Sequence, residues 1–206
     1  MKDFDKLLPM QIVSQTYKTE YEIKKSIFLS YLVPFSEFEA LHVTLKKEHP
    51  KAVHVVWAYR FLNEFNQIVE NSSDDGEPKG TSGPPILNVM RGLELVNVGI
   101  LVVRYFGGIK LGTGGLVRAY GTSAKMVLEI AGLEKYEHKE KFSFTCKYSF
   151  VGKIEHFLTK EGVLFDSREF QSADVVWNLF VTLKQKEEIL EFLNDLINTS
   201  NAKVLA

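Results

Sequence analysis

Two short stretches concentrate the residues that could do chemistry in this chain. Asp74–Gly83 strings together Asp74, Asp75, Glu77, Lys79, Thr81 and Ser82, and Gly107–Gly115 places Gly107, Gly108, Gly112, Gly114 and Gly115 around Lys110. Eleven of the 14 glycines lie between Gly76 and Gly121. Glycine permits positive φ and close approach of another backbone or a ligand, at an entropic cost that ordinary loops avoid, so this segment demands a particular geometry. A glycine loop between a strand and a helix, with free N–H groups and with Lys110 and Arg118 at hand, suits a phosphate or a carboxylate. The same glycines would equally serve a tight turn that packs a helix closely on a sheet. The spacing Gly-x-Gly-x-x-Gly is absent, and Gly107…Gly112 is followed by Thr113 where a phosphate-binding P-loop requires lysine.

Clustered carboxylates such as Asp74, Asp75 and Glu77 suit hard divalent cations, but they lack EF-hand spacing and a flanking histidine, so no metal and no cofactor is assigned. Followed by Lys79, Thr81 and Ser82, the acidic turn offers paired charges and hydroxyls to a partner. His54 and Arg60 fall on one face of the strand Val53–Leu62, opposite Trp57, Tyr59 and Phe61. A lone histidine commonly satisfies a local hydrogen bond. No Ser/His/Asp or Cys/His constellation stands out, and no catalytic residue is assigned. The single cysteine, Cys146, excludes an internal disulfide and reads as a buried strand residue.

The net charge of −1 leaves no global footprint for nucleic acid. Locally the balance differs: no acid falls between Glu94 and Glu129, whereas Arg104, Lys110, Arg118 and Lys125 do, which gives that window a positive potential. No apolar stretch approaches the ~20 residues of a bilayer-spanning helix. The opening residues carry acids and lack the apolar core of a secretory signal, so a cytoplasmic location is expected.

These residues must be positioned by elements that periodicity makes visible. Alternation predicts a β-hairpin, Tyr17–Ile23 and Ile27–Val33, broken at Lys24-Lys25-Ser26. Ser36-Glu-Phe-Glu39 reads as a capping box for a helix carrying Phe38, Leu41 and Leu45 and stopped at His49-Pro50. Val53–Leu62 is a central strand, Asn71–Gly83 a loop, and Pro84-Pro85 the first turn of a helix through about Met90. Val98–Phe106 is a buried strand. Leu116, Tyr120, Val127 and Leu128 supply the stripe of a second long helix ending near Gly132. After a charged connector, Glu134–Lys141, the pattern restarts. It runs strand Phe142–Phe150, helix Val151–Lys160, strands Val163–Phe170 and Val175–Lys184, and helix Gln185–Ile197, with Lys203–Leu205 a further strand. The expected domains are 1–134 and 135–206, and the βαββα order of the second suggests a ferredoxin-like fold.

Two strings then acquire a specific meaning: Asp74-Asp-Gly-Glu-Pro-Lys-Gly-Thr-Ser-Gly-Pro-Pro-Ile-Leu87 and Val102-Val-Arg-Tyr-Phe-Gly-Gly-Ile-Lys-Leu-Gly-Thr-Gly-Gly-Leu-Val-Arg-Ala-Tyr-Gly121. Together they closely resemble the signature of the Impact family, in its bacterial two-domain YigZ-like form. The resemblance implies an α+β protein. Its N-terminal domain would be like the second domain of a small-subunit ribosomal protein, a β-α sandwich, and its C-terminal domain like one from the translocating elongation factor. It also implies a link to translation, since eukaryotic relatives regulate a stress-responsive translation-initiation kinase by competing for its activator. His54-Val-Val-Trp57 departs from the family's His-x-Cys pattern, with Val56 where cysteine is common. The resemblance supports matching His54, Asp74, Asp75, Glu77, Arg104, Lys110 and Arg118 to one shared surface, and supplies no reaction. The expected function is a translation-associated regulatory or binding module that contacts RNA or a ribosome-associated protein. The alternatives are an enzyme or switch that binds a phosphate-bearing small molecule at Gly107–Gly115, and a protein-interaction adaptor using the acidic turn.

Overall fold

The computed structural model describes residues 9–163 and 165–200; the expected strand Lys203–Leu205 lies outside them. Within the described residues the elements are, in chain order, β1 (Gln11–Ile12), β2 (Tyr17–Ile23), β3 (Ser26–Pro34), α1 (Phe35–Glu48), β4 (His54–Leu62), β5 (Ile68–Ser73), α2 (Gly83–Gly92), β6 (Val98–Tyr105), α3 (Thr113–Glu129), β7 (Glu134–Lys135), β8 (Glu140–Lys147), α4 (Val151–Lys160), β9 (Phe165–Phe170), β10 (Asp174–Val181) and α5 (Leu183–Ser200). The fold is thus mixed α+β with antiparallel sheets, and its contacts divide the chain into two compact units between Tyr136 and Glu137.

The first unit is built on a five-stranded antiparallel sheet in the order β2-β3-β6-β4-β5. The hairpin β2–β3 turns at Lys24 and Lys25, both at positive φ, as a two-residue turn matched to strand twist requires. Central β6, Val-Gly-Ile-Leu-Val-Val-Arg-Tyr, is buried at every position except Tyr105 because helices cover both sheet faces. Phe38 and Leu45 of α1 pack on Tyr31, Val33, Val55, Leu101 and Val103. On the opposite face Ile86, Leu87 and Met90 of α2 and the stripe Leu116, Tyr120, Val127 and Leu128 of α3 pack on Phe28, Val56, Ala58, Ile100 and Val102. Burying each of the larger aliphatic side chains contributes about 1.5–3 kcal/mol. Val56, in the place where cysteine is common in the family pattern, is fully buried in this second layer.

The second unit places β10 between β8 and β9, so the crossover β8-α4-β9 is split by the strand that follows it. Both helices cover one face of this sheet: Ile154 and Leu158 of α4 and Ile189, Leu193 and Leu196 of α5 meet Phe142, Phe144, Cys146, Trp177 and Leu179. Cys146 accepts a hydrogen bond from the Trp177 indole at 3.3 Å, and burial pushes its thiol up.

Several expectations require correction. α1 begins at Phe35, so Ser36 lies inside the first turn and makes no capping bond. Ile68–Ser73, whose last residues read as loop, forms the edge strand β5. The strand expected over Phe142–Phe150 stops at Lys147, and Tyr148–Phe150 form a 3-10 turn leading into α4. α5 starts two residues before Gln185. Gln185 closes the capping box that Thr182 opens, with Gln185 N donating to Thr182 Oγ1 at 3.2 Å and Thr182 N to Gln185 Oε1 at 3.1 Å. The connector shrinks as well. Glu134 and Lys135 pair with Ile12 and Gln11, which leaves residues 136–139 between regular elements, the first of them tied down by Tyr136 N bonding Met10 O at 2.7 Å.

Two outcomes follow. Limited proteolysis should cut first at residues 137–139 and leave two fragments, each with its own cooperative thermal transition; cleavage that begins inside β8–β10 and leaves neither fragment folded would contradict two independent units. A Cβ at Gly107 would sit 2.0 Å from the Lys25 carbonyl carbon, which only backbone movement can relieve. Gly107→Ala should therefore lower stability by about 3 kcal/mol or more in urea titrations. Gly121→Ala, in α3 with open space around it, should raise stability by up to about 1 kcal/mol.

Candidate functional site

Three antiparallel strands bring the polar residues together. Arg104 of β6 is registered opposite both His54 of β4 and Phe28 of β3, so all three share the sheet face under α2 and α3. The turn between β5 and α2 lies against this end of the sheet, and each of its acids is already engaged. Asp74 organises the turn: Oδ2 accepts from Gly80 N at 2.7 Å, while Oδ1 accepts from Ser82 N at 3.0 Å, Ser82 Oγ at 2.7 Å and Gly83 N at 2.9 Å. It thereby caps the start of α2 from nine residues away. Burial opposes its ionisation, but the donors of Gly80, Ser82 and Gly83 outweigh burial and hold the carboxyl below its ordinary range. Thr81 is buried and donates to Pro78 O at 2.6 Å, whereas Lys79 is exposed.

Asp75 sits at positive φ and binds the strand. Its Oδ2 accepts from Val55 N at 2.7 Å, and its Oδ1 pairs with Lys46 of α1 at 3.2 Å. The Asp75 carbonyl lies 2.7 Å from His54 Nδ1. A carbonyl can only accept, so Nδ1 carries the proton and Nε2 is turned toward Glu77, 3.8 Å from Oε2.

Glu77 is the buried centre. Its Oε1 accepts from Arg104 Nη1 at 2.5 Å and from Tyr120 Oη of α3 at 2.7 Å. Burial, and then the Glu77 charge, pushes the Tyr120 phenol up, so it remains protonated and donates. Arg104 is itself only 6% exposed, stacked near Phe28 and Phe106, and its Nε has no hydrogen-bond partner among the described residues.

The glycine loop closes the site. Gly112, at φ +73°, turns the chain into α3; Gly114 and Gly115 occupy its first turn, and Gly107 and Gly108 lead in from β6. That first turn has neither a side-chain cap nor an acidic residue. A cavity of about 460 Å³ opens here, with His54, Glu77, Arg104, Lys110, Gly112 and Thr113 in its wall.

The sites expected from sequence therefore separate into three groups. His54, Asp74, Asp75, Glu77, Thr81, Arg104, Lys110 and the glycines form one locality. Lys110 and Arg118 are exposed, but Arg118 does not line the cavity, and Arg104 is buried against Glu77, so the three cations do not present one surface. Arg60 leaves the group altogether. At the far end of β4 it donates to Glu70 Oε2 at 3.0 Å and to the Leu95 and Met90 carbonyls at 3.0 and 3.4 Å, which fastens the end of α2. Tyr120 joins the site unannounced, because a tyrosine at helical spacing reads as core and its partner Glu77 lies 43 residues away in the sequence. No three of the described His, Cys, Asp and Glu residues form a metal-binding group.

Because the folded-state carboxyl of Asp74 is depressed, its contribution to stability is present above the unfolded value and is lost as pH falls through the folded one. Asp74→Asn should cost about 1–2 kcal/mol at neutral pH. In urea unfolding across pH, the gap from the native chain should close as pH drops below about 3.9. A gap that persists in acid would show that the charge of Asp74 is not what holds the turn.

Comparison with known proteins bears on the family of the chain. The Impact N-terminal domain family matches residues 24–128. An IMPACT family member from Haemophilus influenzae is 35% identical over 190 residues, which is 90% of both chains. IMPACT family member YvyE from Bacillus subtilis is 34% identical over 189 residues, covering 90% of this chain and 86% of the relative. A crystal structure of a hypothetical protein matches 97% of this chain and 98% of its own at a TM-score of 0.70 and 29% identity. No described helix is long and apolar enough to cross a membrane. By the family match over both signature strings and by the whole-length relatives, the chain belongs to the Impact family.

Proposed function

We propose that the chain is a cytoplasmic, translation-associated regulatory or binding module. Its first unit is of the ribosomal-protein β-α sandwich type, its second of the ferredoxin-like type, and it contacts RNA or a ribosome-associated protein through the basic rim of the Gly107–Gly115 loop. Family membership supports the link to translation. The observation that carries the contact surface is the unequal disposition of charge around the loop. The neighbouring acids are spent internally, Asp74 on the amides of its own turn, Asp75 on Val55 N and Lys46, and Glu77 on Arg104 and Tyr120. Lys110 and Arg118 stand exposed on either side of the start of α3, within a window that holds no acid from Leu95 to Leu128. Exposed cations whose neighbouring acids are already paired give a local field that attracts an anionic partner.

The test is capture from cell extract by the full chain, with and without nuclease, comparing the native protein with Lys110→Ala, Arg118→Ala and, in the second unit, Lys153→Ala. Ribosomal proteins or RNA should be recovered by the native chain and by Lys153→Ala, and recovery should fall in the two loop variants without loss of thermal stability. If RNA is the partner, each loop variant should reduce the slope of log affinity on log salt by about one or less. Equal recovery and equal slopes in all four proteins would remove this rim as the contact.

A further inference from the structure

The cavity beside the loop carries a separate conclusion, which shares Lys110 with the rim described above and does not rest on that reading. Arg104 is buried, and its guanidinium is held by Glu77 through Nη1 and lies over the Phe28 and Phe106 rings. Its Nε is buried with no acceptor among the described residues. A buried guanidinium N–H without an acceptor is a standing energetic cost, and native proteins satisfy more than nine in ten buried polar groups. The same cavity wall contains the start of α3, where Gly112, Thr113 and the next glycines present first-turn N–H groups with no intrahelical partner, no side-chain cap and no acid. Lys110 stands exposed at the rim. The charge count is favourable to an anion: Glu77 and Arg104 cancel, which leaves Lys110 and the positive end of a 17-residue helix. The remaining wall includes Phe106, Leu111 and Leu116, so an apolar body can accompany the charge.

We infer that this cavity is a binding site for a phosphate group, with the start of α3 and Lys110 receiving its oxygens and Arg104, whose side chain forms part of the wall, supplying the inward donor. Tetrahedral oxygens can meet amides and two cations at once, as a flat carboxylate cannot. The phosphate could be free, on a small organic molecule or on RNA, and the same chemistry would recognise each.

The experiment uses the full chain, measuring thermal unfolding and calorimetric titration at constant ionic strength with inorganic phosphate, adenosine 5′-monophosphate, a short RNA oligonucleotide and acetate. Phosphate should raise the melting temperature in the manner of a ligand that binds only the folded state. Thr113→Glu places a carboxylate in the first turn of α3, which favours the helix while occupying the anion's position. Its melting temperature without phosphate should be no lower than native, and its phosphate affinity should fall at least about tenfold. Lys110→Gln should weaken phosphate by about three- to tenfold, and Arg118→Ala and Lys153→Gln should leave it unchanged. Adenosine monophosphate that binds more tightly than phosphate, with no displacement by RNA, assigns a small organic phosphate; displacement by the oligonucleotide assigns RNA; a response to phosphate alone assigns the free anion. No melting shift up to about 10 mM phosphate, where a millimolar site would be filled, overturns the inference. An equal response to acetate, or undiminished binding by Thr113→Glu, does the same. Failure of Arg118→Ala to reduce partner capture counts against the rim alone, because Arg118 is not in the cavity wall.

Discussion

The buried carboxylate of Glu77 is the constraint on which the polar end of the first unit depends. It comes from a turn, yet its partners are 27 and 43 residues further along the chain, on β6 and α3. An uncompensated charge in such a place is severely unfavourable, and breaking a buried pair by removing one partner costs about 3–5 kcal/mol. The turn therefore cannot swing away from the sheet without stranding Arg104, and α3 cannot slide without taking Tyr120 from the same oxygen. A well-packed apolar pair would serve stability as well. What the ionic arrangement adds is position: it fixes where Arg104 Nε, His54 Nε2 and the start of α3 stand relative to one another.

The two helices above the sheet meet this end of the molecule in opposite electrostatic conditions. The start of α2 is saturated by Asp74, which supplies a full negative charge to three donors there and one more in the turn. The start of α3 has no such group. Helix N-termini are equivalent in origin, each a cluster of unsatisfied N–H groups with a partial positive charge. The chain neutralises one and leaves the other open beside a cavity. The acidic turn, which by composition resembles a cation site, consequently functions as scaffolding, and the glycine loop, which by composition resembles a tight turn, borders the open anionic position.

Much of this architecture was legible because periodicity reports burial. The alternation of Tyr17–Ile23, the stripe of α3 and the βαββα order each follow from a face that must be covered. β5 was not legible, since Asn71-Ser72-Ser73 carries turn residues; an edge strand needs only one bonded neighbour and a half-covered face, so it tolerates them. Arg104 and Arg60 misled in the same way. A lone arginine on a strand reads as surface, and only the position of Glu77 or of the carbonyls at the end of α2 reveals that each is buried and paired. The side-chain register of β4 was visible, with His54 and Arg60 on one face. That this face lies under α2 and α3 was not, because its centre, Val56 and Ala58, is short, while the opposite face, under α1, carries three aromatic residues.

The strand order β2-β3-β6-β4-β5 also governs how the first unit must assemble. β2–β3 and β4–β5 are hairpins joined by short connections, and each can close as soon as its residues are available. Neither can complete the sheet, because the strand between them, β6, comes later in the sequence; it pairs Ile27 with Tyr105 and His54 with Arg104. During synthesis from the N-terminus the inner edges of β3 and β4 therefore stay unpaired until Val98–Tyr105 arrives, and such edges are templates for mispairing. The second unit repeats this order at shorter range: β8 and β9 each pair only with β10, which lies between them and follows both in the chain. Insertion of β6 is the committing event, and it is the same event that buries Arg104 and gives Glu77 its partner.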